Sequence, residues 1–214
     1  MLLWINGPFG GGKTQTAYEL ARRLPGSVVC DPEHVGFGLR RMVPPALRGN
    51  FQDLVAWREG VVEVLDLALT GQDGVVIAPM TVVEPAYIDG ILGRLRDEHG
   101  HDVRHFALLA QRETVLRRLR ERGFGHVLQV VAGKDAPLRR ESFAVAQLDR
   151  CLESLRTTEF TVPAERIETD HLTVAQVADR IAASAGLTLT PDTDSALRGL
   201  LRRSAIGLRH IRFD

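Results

Sequence analysis

The chain has 214 residues, with 27 basic and 27 acidic side chains, no formal net charge, 44% apolar content and 25% charged content. That length suits one domain with appendages around a sizeable core, and the balanced charge excludes nothing soluble but gives no reason to expect nucleic acid as a partner. Cys30 and Cys151 form neither a disulfide framework nor a metal-ligand cluster and suit a reducing compartment, and no apolar run reaches the ~18 residues of a membrane span.

Leu2-Leu3-Trp4-Ile5 reads as a buried strand. No basic stretch or small-residue cleavage site accompanies it, so a signal peptide is not expected and a cytoplasmic location is. The run Gly7-Pro8-Phe9-Gly10-Gly11-Gly12-Lys13-Thr14 follows and fits G-x-x-x-x-G-K-[ST] at every fixed position. A helix with Ala17, Leu20, Ala21 and Leu24 on one face comes next. Strand, glycine loop and helix together form the context a phosphate-binding loop requires. Glycines let backbone N–H groups turn toward a phosphate, Lys13 reaches the β- and γ-phosphates, and the Thr14 hydroxyl suits Mg²⁺. An ATP or GTP site is the expectation.

Arg22 to Gly26 stops the first helix, and Ser27 to Cys30 reads as the second strand, ended by Asp31-Pro32-Glu33. A glycine-spaced segment from Val35 to Arg41 precedes the Pro44-Pro45 break, and the apolar spacing predicts a helix over Phe51 to Thr70. Val75 to Pro79 is expected as the third strand, Pro85 to His99 as a helix, Val103 to Ala110 as the fourth strand and Glu113 to Arg122 as an arginine-dense helix. Residues 123–142 lack a period and are read as a lid or loop. Helices over Phe143 to Leu155 and Val174 to Ala185 flank a short fifth strand, Arg166 to Thr169. Strands alternating with helices predict an α/β fold of the P-loop NTPase type: a five-stranded parallel sheet, helices on both faces, a lid insertion and a C-terminal amphipathic helix. Residues 1–190 are read as the domain and 191–214 as a basic amphipathic appendage.

In such sheets ligands bind beyond the carboxyl ends of the strands. Asp31 stands there, as general base toward a substrate hydroxyl, as a water-mediated Mg²⁺ holder, or as a turn cap before Pro32. Glu33 is a weaker candidate. Ala78-Pro79-Met80-Thr81 supplies no carboxylate where many P-loop NTPases carry one at a strand end. Arg118 and Arg122 share a helix face and suit phosphate oxygens or an adenine ring, with Arg112, Arg117 and Arg120 nearby, about half of them solvated. Arg139 and Arg140 are positioned in sequence to follow the lid. The histidines show no metal-binding spacing. From Ser195 to Phe213, a leucine stripe is backed by Arg198, Arg202, Arg203, Arg209 and Arg212. That pattern suits a membrane surface, and equally a last helix packed on the domain.

The opening Trp4 to Thr16 resembles the start of the tunicamycin resistance protein family. So do Asp31-Pro32-Glu33 with Gly36-Phe37, Met42-Val43-Pro44, Pro79-Met80-Thr81, Gly93 to Arg96, Gln147 to Cys151 and His210-Ile211-Arg212. The resemblance spans nearly the whole chain. It implies a small-molecule or nucleotide kinase-like fold and ATP, with Mg²⁺, on Gly7, Gly10, Gly11, Gly12, Lys13, Thr14 and Gln15. It also implies adenine stacking by Arg118 and a tunicamycin-like nucleoside antibiotic as partner. Peripheral contact with the inner membrane face through residues 195–213 is implied as well. Residues 123–140 are longer than the family leads one to expect. Three readings stay open: phosphotransfer to the drug with Asp31 and Lys13 as catalytic residues, ATP-dependent sequestration without chemistry, and an ordinary nucleoside or sugar kinase. Oligomeric state is not legible.

Overall fold

The computed structural model describes residues 1–121 and 145–192. Five strands form one wholly parallel sheet: β1 (Leu2–Asn6), β2 (Val28–Val29), β3 (Val76–Pro79), β4 (Val103–Leu109) and β5 (Ala164–Glu168), in the order β2-β3-β1-β4-β5. The first strand is central, paired along both edges by β3 and β4, and every one of its residues is buried. Leu2, Trp4, Val76 and Ala78 point to one face, and Leu3, Ile5 and Ile77 to the other. This is the two-residue alternation of a strand covered on both sides. Burying each large apolar side chain contributes about 1.5–3 kcal/mol.

On one face lie α1 (Lys13–Arg23) and α8 (Val174–Ser184), meeting through Ala17, Leu20, Val177, Ala178 and Ile181. Thr173 and Gln176 close a capping box that sets the start of α8. The other face carries α3 (Val55–Gly71) and a helical run from Pro85 to Asp97. That run is α4 (Pro85–Ile88), a π-helical turn (Asp89–Gly93) and α5 (Arg94–Asp97), so the helix expected over Pro85 to His99 is interrupted by one wide turn. Between β4 and β5 come α6 (Arg112–Glu121) and α7 (Leu148–Thr157); α7 covers Ala107 and Leu109 with Cys151 and Leu155.

Two expectations change. The glycine-spaced segment is a helix, α2 (Glu33–Met42), where Gly36 is buried under the ring of Phe51. The helix expected from Phe51 starts at Val55; Phe51–Asp53 is a separate 3-10 turn, and Leu54 is extended between them. Asn50 caps that turn by accepting the N–H of Gln52, which competes with continuing the helix backward. The strand boundaries shift by one or two residues. The lid at 123–142, the helix start at Phe143 and the stretch 195–213 lie outside the described residues. Among the described residues no helix is long and apolar enough to cross a membrane.

Candidate functional site

The phosphate loop begins where β1 ends, at the point where the chain order reverses between β3 and β4. Gly10 and Gly12 take φ of 75° and 95°, which side chains with a Cβ rarely adopt. At Gly7 a Cβ would stand 3.0 Å from the Leu108 carbonyl oxygen, so β4 presses directly on the loop. Gly11 N–H donates to the Pro8 carbonyl at 2.9 Å, and Lys13 Nζ donates to the same oxygen at 3.0 Å. Lys13 is 7% exposed, with Nζ 5.6 Å from the centroid of Phe9. Its ammonium therefore lies folded along the loop it serves. Thr14 and Gln15 are half-buried in the first turn of α1, where the helix N-terminus and its dipole favour an anion. Thr14 puts its hydroxyl on that turn.

Other residues hold the loop from behind. Asn6, fully buried, accepts the Gly7 N–H at 2.8 Å and the Val82 N–H at 3.1 Å, and donates to the Val82 carbonyl at 2.6 Å. Thr81 donates its hydroxyl to the Gly7 carbonyl at 2.7 Å. The segment after β3 thus supplies hydrogen bonds to the loop at the place where many P-loop NTPases carry an acid. Neither role was read from sequence, although Asn6 and Thr81 both stood within segments already singled out.

Asp31 follows β2, and its Oδ1 accepts the Glu33 N–H at 2.9 Å. The carboxylate caps the start of α2 and is thereby held at the strand end. Trp57 Nε1 donates to the Pro32 carbonyl at 3.0 Å, pinning this corner to α3. Among the described residues no group of three or more His, Cys, Asp or Glu side chains could hold a metal ion.

Arg118 is half-buried and donates to the Thr169 hydroxyl at 3.1 Å and the Thr169 carbonyl at 2.7 Å. Burial lowers its pKa, and the Asp170 carboxylate opposes that. Asp170 in turn accepts the Gln111 N–H with both oxygens, at 3.0 and 3.1 Å. Desolvation would raise the Asp170 pKa, but hydrogen bonds from Thr114 and Gln111 hold it below the usual value. The loops after β4 and β5 are therefore locked together around one guanidinium. Arg112 and Arg117 are exposed; Arg112 pairs with Asp149 at 2.9 Å. Arg122, Arg139 and Arg140 lie outside the described residues. Cys151 is buried near Lys13, and burial pushes its thiol up to about 11 against the opposing lysine charge. It is a packing residue there.

A family model described as an AAA domain matches residues 2–156. The tunicamycin resistance protein of Deinococcus radiodurans superposes with a TM-score of 0.68 at 35% identity, covering 89% of this chain and 98% of that one. A gluconokinase from Sinorhizobium meliloti 1021 gives a TM-score of 0.55 at 14% identity over 86% of this chain and 90% of the other. The shikimate kinase from Bacteroides thetaiotaomicron gives 0.52 at 16% over 87% and 99%. These last two show the shared fold. No curated protein matches the sequence. With a complete phosphate loop at the centre of a parallel sheet and this relative matched along nearly its whole length, the chain belongs to the tunicamycin resistance protein family, within the AAA-domain P-loop proteins.

Proposed function

We propose that the protein binds MgATP on the Gly7–Thr14 loop and transfers the γ-phosphoryl group to a hydroxyl of tunicamycin or a related nucleoside-sugar. One observation carries this reading: the carboxyl edge of one sheet bears both a complete phosphate loop and, one strand-end away from β3, the capped carboxylate of Asp31. The 35% identity to a tunicamycin resistance protein supports the choice of acceptor.

In this scheme Lys13 leaves the Pro8 carbonyl and takes the β- and γ-phosphate oxygens. The backbone N–H groups of Gly10 to Thr14 hold the phosphates in place. The Thr14 hydroxyl would hold Mg²⁺, which would supply neutralisation of the phosphate charge. Asp31 accepts the proton of the attacking hydroxyl as the new P–O bond forms and the bond to the β-phosphate oxygen breaks, leaving ADP. Arg118 borders the adenine, its edge fixed by Thr169 so that its flat face is available for stacking. Phosphotransfer needs water excluded and the acceptor oxygen in line.

Mass spectrometry of tunicamycin incubated with protein and MgATP tests the scheme. Gain of one phosphate, lost in Asp31→Asn, is the expected result. Unmodified drug under saturating conditions overturns it. The acid-free end of β3, with Thr81 committed to Gly7, favours a second reading in which ATP sets the conformation of a protein that sequesters the drug. Calorimetric binding of unmodified drug, strengthened by ATP and with no product formed, would select that reading. Turnover of small sugars or nucleosides with none on tunicamycin would select an ordinary metabolic kinase. Peripheral membrane contact through residues 195–213 is a separate proposal. Deleting Ser195 to Asp214 is expected to release protein from anionic vesicles with ATP binding intact.

A further inference from the structure

Beside the phosphate loop, on the side of β2 and β3, stands a residue that the scheme above does not use. Gln52 sits in the 3-10 turn ahead of α3, half-buried. Its Nε2 donates to the Thr81 carbonyl at 2.7 Å, and Thr81 is itself bonded to Gly7 of the loop. Its backbone is held at both ends: Asn50 Oδ1 accepts its N–H at 3.2 Å, and Arg58 donates to its carbonyl at 2.6 Å. Because the Thr81 partner is a carbonyl, only the NH₂ of the amide can face it. The orientation of the side chain is therefore decided, and its oxygen, Oε1, must point the other way. No described residue donates to that oxygen.

Aromatic surface adjoins this amide. Phe51, the preceding residue, packs with its ring on Gly36, where a Cβ would come within 2.5 Å of ring carbons. Phe37 meets it edge-on at 6.2 Å and Trp57 at 5.6 Å, tilted. Phe37 and Phe51 are half-buried rather than sealed in the core. Trp57 ties the same cluster to Pro32, next to Asp31. A fixed amide carbonyl beside aromatic faces, between the strand-end acid and the phosphate loop, is chemistry suited to a flat heterocycle that carries an N–H donor.

We propose that Gln52, with Phe37 and Phe51, seats the heterocyclic base of the acceptor, and that Gln52 Oε1 accepts an imide N–H such as N3–H of a uracil ring. The identity of the acceptor as a nucleoside rests on the function proposed above; the location of the seat rests on the geometry. Cytosine presents a lone pair at N3, and N3-methyluracil presents a methyl group. Both place the wrong group against a carbonyl oxygen. The amide is preorganised by its bonds to Thr81, so little ordering entropy is lost when it binds.

The test is calorimetry on the full chain with a non-hydrolysable ATP analogue present, using uridine, N3-methyluridine, cytidine and tunicamycin as probes. Uridine is expected to bind, with N3-methyluridine and cytidine about tenfold weaker, the value of one lost hydrogen bond at a site that leaves its acceptor unpaired. Gln52→Leu is expected to weaken uridine and tunicamycin about tenfold and to erase the discrimination between uridine and N3-methyluridine. The wild-type comparison of the two ligands needs no variant, so it stands even where Gln52→Leu perturbs folding. Equal affinities for uridine and N3-methyluridine, or no saturable uridine binding, overturn the proposal. Tunicamycin phosphorylated normally by Gln52→Leu overturns the seat and leaves the function standing. Uridine read through Gln52 with tunicamycin neither bound nor modified keeps the seat and removes the drug from the function.

Discussion

The phosphate loop, the donor half of the site, closes its internal hydrogen bonds between residues close in sequence, while its outside supports and the seat proposed for the acceptor, the other half, are held by residues far apart. Pro8, Gly11 and Lys13 bond among themselves within one loop. By contrast, Gln52 reaches Thr81, 29 residues away, and Thr81 reaches Gly7, 74 residues away. A phosphate is a constant ligand, and a local motif can serve it wherever the motif occurs. An acceptor varies from one kinase to the next, and its seat is assembled from insertions between strands that answer to no shared local code. The lobe from α2 to α3 also exposes Met42 and Leu47, 82% and 74% accessible, whereas the loop's own flanks are buried.

Three measurements test how separate the halves are. The largest effect is expected from Lys13→Ala, which acts on the donor half alone. Phosphoryl transfer should fall about 10²–10³-fold, the usual cost of removing a preorganised charge from a transition state. Binding of the acceptor, measured by calorimetry without nucleotide, should change little. Acceptor affinity falling in step with turnover would show that the halves are one unit.

Acidification acts beneath both halves. His105 on β4 is buried, donates from Nδ1 to the Val162 carbonyl at 3.0 Å, and has no described partner at Nε2. Burial lowers its pKa to about 4, opposed by the Val162 hydrogen bond and aided by the Arg166 charge. Between its unfolded value and that value the unfolded chain binds the extra proton. Stability should therefore be complete above about pH 6.5 and fall by about 3 kcal/mol as the pH drops toward 4. Urea unfolding across that range checks it, and His105→Gln should flatten the decline. Loss of ATP and acceptor binding at the same urea concentration would show that the sheet joins the halves.

Thr81→Val should have the smallest effect and is the most specific to the junction. It removes the donor to the Gly7 carbonyl and costs about 1 kcal/mol, or about fivefold in ATP affinity. Thr81→Ser should restore both. An unchanged ATP affinity would mean that the acceptor-side segment does not support the loop.

Sequence alone carried the donor half a long way. The fixed positions of Gly7 to Thr14 and the apolar strand before them specify loop and helix because both are short-range structures. Four strands were legible because each carries an apolar run, whereas β5 offers only one buried apolar side chain, Ile167; β2 was overextended because its edge position leaves only two residues paired. The α2 helix was not legible: Gly36 and Gly38 lower helix propensity, and Gly36 is there to admit the Phe51 ring. Asp31 was legible with three possible roles, and its hydrogen bond from the Glu33 N–H is visible only in the fold.

What the sequence determined is whatever depends on neighbours a few residues apart: the phosphate loop, the alternation of strand faces, and the helix stripes. The tertiary structure decided what depends on distant partners. It placed Asn6 and Thr81 behind the loop, fixed Arg118 against Thr169, and turned the Gln52 amide so that its NH₂ faces the Thr81 carbonyl. A hydrogen bond between residues 29 or 74 apart leaves no periodic trace, because its geometry is set by the sheet that brings the two ends together.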